Sequence, residues 1–244
     1  MAHSPKILVV LTSHDKLGDT GKPTGWYLSE LAHPYQILTE HGFTLTLASP
    51  AGGAAPLDPA SVDAASSDPV STAFLAQHRA APPWERTAPL ASFLGRADDF
   101  AALFFPGGHG PMFDLAADPA CQALVAEFAA KDKVVAAVCH GPAALLGVKI
   151  SSGAAGGGAG EAYLRGKRVT GFSNAEEEEI GLGGVVPFLL EDRLTEVVGK
   201  GGKYVKAAEK WAEKVVVDGK LITGQNPASA KGVAEAIVEA VAGA

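Results

Sequence analysis

Cysteine is scarce in this sequence, with two residues in a chain of 244. Two cysteines cannot build the dense disulfide framework of small secreted domains, so we expect free thiols in a reducing, cytoplasmic setting. Long apolar runs are missing as well, since none approaches the ~18 residues of a membrane-spanning helix. The apolar run at 6–12 is short and bracketed by charged residues, which indicates a first strand rather than a signal peptide. We therefore expect no membrane partner.

Positive charge is also in short supply. The sequence has 20 Lys and Arg against 27 Asp and Glu, a formal net charge of −7, and its basic residues are not clustered. Nucleic acids and anionic membranes are bound by clustered Lys and Arg, so we expect neither as the main partner. Apolar residues make up 47% and charged residues 19% of the chain, a balance typical of a folded globular protein.

Recognisable cofactor motifs are lacking. The segments "GGHG" and "GGGAG" do not form the G-x-G-x-x-G pattern that binds dinucleotides after a strand. A Glu-x-x-His spacing occurs in "ELAH", but a di-iron bundle needs that pair twice, and the His-x-x-x-His spacing of many zinc sites does not occur. We expect no cofactor and no obligatory metal.

Strand and helix patterns alternate along most of the chain. Strand patterns lie at 6–12, a continuous apolar run typical of a strand covered on both faces, and at 43–49, 99–105 and 133–138. Helical patterns lie between them at 24–42 and 118–131. A hairpin with Asp218 and Gly219 at its turn and a closing helix follow. This order predicts an α/β fold, a mostly parallel sheet with helices on both faces. In such sheets the functional site lies beyond the carboxyl ends of the strands.

Two segments interrupt the alternation. Residues 50–97 are rich in Pro, Ala, Ser and Asp and have little periodicity, so we predict a lid or cap excursion within a single domain spanning 1–244. The stretch "SSGAAGGGAG" at 151–160 predicts a glycine-rich loop.

The stretch "VVAAVCHGPAALLG" (134–147) predicts an abrupt strand-to-helix turn at Cys139. This resembles the elbow of G-x-S-x-G enzymes, with Gly141 two residues after the nucleophile. A helix N-terminus there would lower the cysteine pKa and populate a reactive thiolate. The alternative is a small buried hydrophobic residue, the role of most free cysteines. For Cys121 we expect such packing or an exposed bystander.

A thiol nucleophile needs a partner that moves protons. None of the histidines follows residue 140, which excludes the distal downstream histidine of papain-like enzymes. His140 is adjacent to Cys139, and neighbouring helix residues do not face each other, so direct contact is doubtful. Glu30 is our candidate, because its helix follows the first strand and can project a carboxyl toward the sheet's carboxyl edge. The alternative is an exposed helix glutamate.

Two further segments offer polar groups. "FPGGHG" (105–110) predicts a glycine turn whose backbone N–H groups suit an oxyanion, or simply a tight turn, with His109 lining the pocket or capping the turn. "NAEEEEI" (174–180) predicts an N-capped helix. One of its glutamates, 176–179, could orient His140, and the spacing does not choose among them.

Five ordered blocks resemble the ThiJ/PfpI superfamily, and more narrowly its fungal glutathione-independent glyoxalase (glyoxalase III) and heat-shock chaperone branch. They are "LTSHDK…GKPTGWYLSELAHPY", "FFPGGHGPMFDL", "AAVCHGPAAL", "VTGFSNAEEE" and "ITGQNPASA". The resemblance spans essentially the whole chain. It implies a flavodoxin-like core with a small cap, a homodimer, and cofactor-free conversion of methylglyoxal and related 2-oxoaldehydes to lactate through a cysteine hemithioacetal, a lyase of the D-lactate dehydratase type.

The resemblance also implies roles for individual residues. By motif, Cys139 is the nucleophile, Glu30 the acid/base partner and His140 the second catalytic residue, with Glu177 as third triad member among its neighbouring acids. Gly108 and His109 would supply the oxyanion contact. Alternative functions are a holdase chaperone, a protein deglycase, a cysteine oxidation sensor or, given the names of some relatives, a peptidase or amidase.

Overall fold

The computed structural model describes residues 4–150 and 160–243. The strands are β1 (Lys6–Val10), β2 (Thr44–Ser49), β3 (Ala88–Pro89), β4 (Ala102–Phe105), β5 (Val134–Val138), β6 (Lys149–Ile150), β7 (Glu161–Ala162), β8 (Arg168–Val169), β9 (Lys203–Tyr204), β10 (Val215–Asp218) and β11 (Leu221–Gly224). The helices are α1 (Leu28–Glu40), α2 (Pro59–Ala64), α3 (Pro69–His78), α4 (Pro119–Ala130), α5 (Asn174–Glu179), α6 (Leu190–Val198) and α7 (Ala230–Ala242).

Seven strands form the central sheet in the order β10-β11-β5-β4-β1-β2-β3. Every neighbouring pair is parallel except β10 and β11, which form the predicted hairpin with Gly219 in the left-handed region (φ 62°). Strands β4 and β5 are buried at every residue, as expected for parallel strands covered on both faces. The predicted α/β fold with a mostly parallel, flavodoxin-like sheet is confirmed.

Helices flank this sheet. Helix α1 packs against α7, which contacts β5 and β11, and α4 packs against β4 and β5. Helix α4 begins as predicted, with Pro119 in its first turn and the Asp118 carboxylate accepting a hydrogen bond from the Cys121 N–H (2.7 Å). None of the helices in the described ranges is long and apolar enough to cross a membrane.

The first helix is shorter than the pattern 24–42 predicts. The helix starts later because Trp26 makes strand-like contacts. The Trp26 N–H donates to the Pro56 carbonyl (2.9 Å), and the Trp26 ring packs edge-on against Trp84 at 5.3 Å. Trp26 therefore precedes the helix, although the pattern 24–42 includes it. The end is as expected, since Gly42 adopts φ 81° and the Phe43 N–H reaches the Leu38 carbonyl (3.0 Å).

Residues 50–97, the predicted excursion, contain α2, α3 and β3. The N-caps of the two helices are Asp58 and Asp68, and each aspartate is followed by a proline. Phe74 stacks on Trp84 (5.5 Å), which ties the excursion to Trp26 and the core. The glycine-rich loop predicted at 151–160 lies outside the described residues apart from Gly160.

The segment 167–173 is strand only at β8, which pairs with β9 outside the central sheet. The remaining residues lead into α5, where Ser173 caps the helix in a reciprocal capping box with Glu176. This turn brings the α5 carboxylates toward the end of β5, because the Phe172 N–H donates to the Cys139 carbonyl (2.9 Å).

Candidate active site

Cys139 occupies a strained turn directly after β5. Its backbone adopts φ 60°, the left-handed region that few residues other than glycine visit, and its N–H donates to the Gly224 carbonyl (3.0 Å). Gly141 packs so closely on β4 that an added Cβ would lie 2.2 Å from the Phe105 carbonyl oxygen. The predicted elbow is therefore present. The α-helix expected after it is not: residues Gly141–Leu145 form a 3₁₀ turn.

The thiol environment corrects the expectation of a lowered pKa. Cys139 is 3% exposed, and burial raises the pKa of its thiol well above the ordinary value. An ionised Glu30 carboxylate would add to the rise, and the Gly108 backbone N–H, which faces the sulfur, acts in the other direction. The 3₁₀ turn also offers a thiolate less of a helix dipole than the expected α-helix would. The raised pKa favours a neutral thiol in the resting protein.

Glu30 lies in the first turn of α1 and is fully buried. The Gly107 N–H donates to its Oε2 at 2.7 Å, whereas Oε1 has no hydrogen-bond partner among the described residues. Burial raises the pKa of Glu30 to about 8, although the neighbouring Cys139 and the Gly107 amide oppose the rise. The exposed-glutamate alternative is wrong, and this carboxyl carries a proton at neutral pH.

His140 contacts the thiol directly, contrary to the expectation for adjacent residues. Its Nδ1 lies 3.4 Å from the Cys139 Sγ, and its Nε2 lies 2.7 Å from the Glu177 Oε2. The helix-surface rule does not apply, because Cys139 is left-handed and no α-helix follows it. Burial, followed by the nearby His109, lowers the pKa of His140 to about 4, so the imidazole is neutral at neutral pH.

Among the four consecutive glutamates of α5, Glu177 is the one that meets the histidines. Glu176 is also buried, but it accepts hydrogen bonds from Ser173, Gln225 and Asn226 and serves the packing of this region. Glu178 is exposed, and Glu179 pairs with Lys210.

Glu177 accepts from two imidazoles at once. His109 Nε2 lies 2.9 Å from its Oε1, and His140 Nε2 lies 2.7 Å from its Oε2. Burial alone would raise the pKa of Glu177, but these two hydrogen bonds outweigh it and lower the pKa to about 2. An ionised carboxylate only accepts, so Nε2 of His140 carries the proton and its Nδ1 is left as an acceptor facing the thiol.

The glycine turn after β4 packs against this group. Gly108 adopts φ 87°, and a Cβ there would lie 2.2 Å from the Gly25 carbonyl oxygen, while one on Gly107 would lie 2.8 Å from the Glu30 Oε2. Both positions thus require glycine for their close packing. The Gly108 N–H also faces the Cys139 sulfur. The tight-turn and functional interpretations of this segment are therefore compatible.

His109 has a contact that the sequence did not predict. Its ring lies 4.2 Å from the His140 ring, and it binds Glu177 rather than capping its own turn. Ligand atoms of His109, His140 and Glu177 all lie within 4.8 Å of one another, close enough to hold a cation. Hydrogen bonds within the set already pair these atoms.

A cavity of about 500 Å³ opens at the thiol. Its lining includes four of the predicted site residues, and Asp58, Ala60 and Asp63 of the excursion also contribute to its wall. Several lining residues were not singled out from sequence: Leu17, Tyr27, Phe172, Ile180, Leu182 and Trp211. An exposed Trp within the charged stretch "KAAEKWAEK" was the available signal for Trp211. Cys121 lies away from the cavity, buried in α4, which agrees with the packing alternative.

Three comparisons place this arrangement among known proteins. Residues 24–240 match the model of the DJ-1/PfpI family. The chain is 30% identical to the glutathione-independent glyoxalase HSP31 of Saccharomyces cerevisiae, over 97% of this chain and 98% of that protein. It is 29% identical to glyoxalase 3 of Candida albicans, over 96% of this chain and 98% of that protein.

Two solved structures share the fold over nearly the full chain. The crystal structure of glyoxalase III from Candida albicans has a TM-score of 0.83 and 28% identity, covering 98% of both chains. The rapid encystment protein of 24 kDa from Francisella tularensis has a TM-score of 0.86 and 38% identity, covering 97% of this chain and 99% of the other. These matches agree with the resemblance of the sequence blocks.

Proposed function

The chain belongs to the DJ-1/PfpI family, and from that premise we propose that it is a glutathione-independent glyoxalase acting on methylglyoxal and related 2-oxoaldehydes. The observation that carries the proposal is the placement of one buried thiol between two proton-moving groups. Cys139 faces the protonated Glu30 carboxyl and the acceptor Nδ1 of His140. Relatives named as glyoxalases over the full chain support the same activity.

The reaction begins with the neutral thiol. As the Cys139 sulfur attacks the aldehyde carbon, its proton passes to the Nδ1 of His140, and the imidazolium that forms is stabilised by the Glu177 carboxylate. The developing oxyanion receives a hydrogen bond from the Gly108 N–H and a proton from Glu30. The product of this step is a hemithioacetal. Because the thiol pKa is raised and the His140 pKa is lowered, the proton moves only as the sulfur attacks, when the negative charge passes on to the carbonyl oxygen.

The second stage moves hydrogen between adjacent carbons. Glu30, now ionised, removes the proton from the carbon attached to sulfur, while the His140 imidazolium gives its proton to the neighbouring carbonyl oxygen, and an enediol forms. Glu30 then returns its proton to the neighbouring carbon as the hydroxyl on the first carbon gives its proton back to His140. The first carbon is oxidised to a thioester while the second is reduced to an alcohol, so no external oxidant is needed. Water then cleaves the thioester, releasing lactate and the thiol.

The direct test uses purified protein and methylglyoxal without glutathione or added metal. We expect lactate, followed by proton NMR and identified by chiral assay as the D form, with loss of turnover in Cys139→Ala. Cys121→Ala is the matched control and keeps activity, because that thiol lies away from the cavity. Consumption of methylglyoxal without lactate in the unmodified protein contradicts the proposal and indicates simple trapping.

The oxidation-sensor alternative is disfavoured by the site. Sensor cysteines are exposed and have low pKa values, whereas Cys139 is buried with a raised pKa. A holdase function is separated from the glyoxalase by the same variant: suppression of aggregation would survive Cys139→Ala, and turnover would not.

Assembly and location complete the proposal. The resemblance supports a single-domain homodimer in the cytoplasm. Light scattering after size-exclusion chromatography is expected to give twice the 24.9 kDa chain mass. A monomeric mass would contradict the dimer without bearing on the chemistry.

A further inference from the structure

Large exposed apolar side chains are few in the described part of the chain, and they are not evenly placed. Four are found: Leu94, Ile180, Trp211 and Val217. Ile180 (39% exposed) and Trp211 (38% exposed) both line the cavity at Cys139. Scattered apolar side chains on a surface need no explanation, but two at the opening of one cavity point to a ligand.

Trp211 is held in an unusual conformation. Its backbone adopts φ 64°, which is rare for a bulky residue and persists only where the surroundings fix it. The fixing contacts are two carboxylates of α5: the Trp211 N–H donates to the Glu176 Oε1 and its indole Nε1–H donates to the Glu179 Oε1, each at 2.9 Å. The indole is therefore a rigid part of the cavity.

The apolar surface runs without a break from this indole to the catalytic group. Trp211 packs edge-on against Phe172 at 5.6 Å, and Phe172 lies 4.4 Å from the His140 ring. Together with Leu182 and Ile180 they form one apolar wall (Phe172, Ile180, Leu182 and Trp211). The charged lining residues, Lys22, Asp58 and Asp63, come from a different part of the chain, before residue 64.

The size of the cavity does not match methylglyoxal. A volume of about 500 Å³ lies within the range, roughly 300–1,000 Å³, of sites that bury drug-sized ligands, whereas methylglyoxal has three carbons. A methyl group on the hemithioacetal would leave most of the apolar wall in contact with water.

We propose that the apolar wall binds the substituent of the 2-oxoaldehyde and that Trp211 is a specificity-determining residue selecting substrates with an extended apolar chain over methylglyoxal. This inference rests on the proposed glyoxalase function and deepens it. The aldehyde carbon reacts at Cys139, and the chain attached to the neighbouring carbonyl lies along Phe172 toward Trp211.

The test measures kcat/KM for a series of straight-chain 2-oxoaldehydes, from methylglyoxal to the six-carbon homologue. We expect the wild type to gain about twofold to fourfold for each added methylene, since burying one CH₂ corresponds to about 0.8 kcal/mol. Trp211→Asn, which tolerates a positive φ, should flatten this rise, and Trp211→Phe should restore part of it. Leu94→Ala removes an exposed apolar residue away from the cavity and should keep the full rise.

The outcomes separate the inference from the function it rests on. Turnover of methylglyoxal with a flat series in the wild type, or with an equal rise in Trp211→Asn, overturns the role of Trp211 and leaves the glyoxalase intact. Absence of turnover with every 2-oxoaldehyde of the series contradicts the proposed glyoxalase function. The apolar wall is then tested by calorimetric binding of straight-chain 2-hydroxyalkanoates to Cys139→Ala: affinity that rises with chain length only while Trp211 is present supports it, and any other result overturns it.

Discussion

The imidazoles of His109 and His140 lie 4.2 Å apart and donate to opposite oxygens of the same carboxylate, Glu177. Each histidine thus holds the carboxylate in the orientation that the other requires. The nearness of His109 also contributes to the low pKa of His140. In the proposed mechanism, His109 therefore acts as a positioning residue that keeps the His140 base neutral and correctly oriented.

Replacing His109 tests this coupling. His109→Leu removes one donor to Glu177 and the neighbour that disfavours an imidazolium at residue 140, so the pKa of His140 should rise from about 4. The acidic limb of the kcat profile should then move to higher pH. Rates measured from pH 4 to 9 check this. An acidic limb that stays in place would show that His109 does not act on the base.

Glu30→Gln tests the proton shuttle. The amide can still accept from the Gly107 N–H, so the fold should persist, but kcat should fall by about 10²–10⁴, the usual contribution of a general acid–base group. Glu40→Gln, at the exposed end of the same helix, is the control and should be neutral. Near-normal turnover of the Glu30 variant would remove that residue from the mechanism.

The same carboxyl predicts a pH dependence of stability. Its pKa rises from 4.5 to about 8 on folding, so between these values the native state binds more protons than the unfolded state, and the free energy of unfolding falls as pH rises. The full difference is on the order of 4–5 kcal/mol, since one pKa unit corresponds to about 1.4 kcal/mol. Glu30→Gln should show a smaller loss of stability between pH 5 and 8 by urea denaturation. Parallel curves for the two proteins would refute the buried protonated carboxyl.

The state of the thiol is measurable by alkylation. Because burial raises the pKa of Cys139, iodoacetamide should react slowly at neutral pH, with a midpoint above the ~8.5 of a free cysteine. Cys121, fully buried, should stay unlabelled in the folded protein. A midpoint below that of a free cysteine would instead indicate a resting thiolate, as the sequence alone suggested.

The adjacent glutamates of α5 should respond in opposite ways. Glu177→Gln disrupts the contact that orients His140 and should lower kcat by about tenfold or more with little change in stability. Glu176→Ala leaves the Gln225 and Asn226 amides without their acceptor and should cost about 3 kcal/mol or more in unfolding free energy. Chemical denaturation and steady-state rates, measured on both variants, distinguish the two roles. The reverse pattern would exchange the assignments.

The sequence predicts features that neighbouring residues determine better than features that depend on contacts between distant segments. The buried strands, the Asp118 and Pro119 helix start and the Gly219 turn are local patterns, and the structure has them where the sequence indicates. The length of α1 was overestimated, because Trp26 pairs with a segment some 30 residues away that helical periodicity does not register.

The site shows the same division. The turn at Cys139 follows from adjacent residues, but the contact between Cys139 and His140 depends on a left-handed backbone that spacing rules do not anticipate. The prediction of a lowered thiol pKa was wrong, because the pKa depends mainly on burial, which distant segments of the chain create. The choice of Glu177 over Glu176 likewise requires knowing which carboxylate the histidines reach.

The reactive group is assembled from the ends of non-consecutive stretches of chain. Glu30 follows β1, the Gly107–Gly108 amides follow β4, and Cys139 follows β5, three strands that lie side by side only in the finished sheet. A fragment that lacks β1, β4 or β5 is therefore expected to lose the arrangement of Glu30, Cys139 and the two amides. Catalytic rate in a denaturant titration therefore counts fully folded molecules, and it is a more demanding reporter of native structure than helix content measured by circular dichroism.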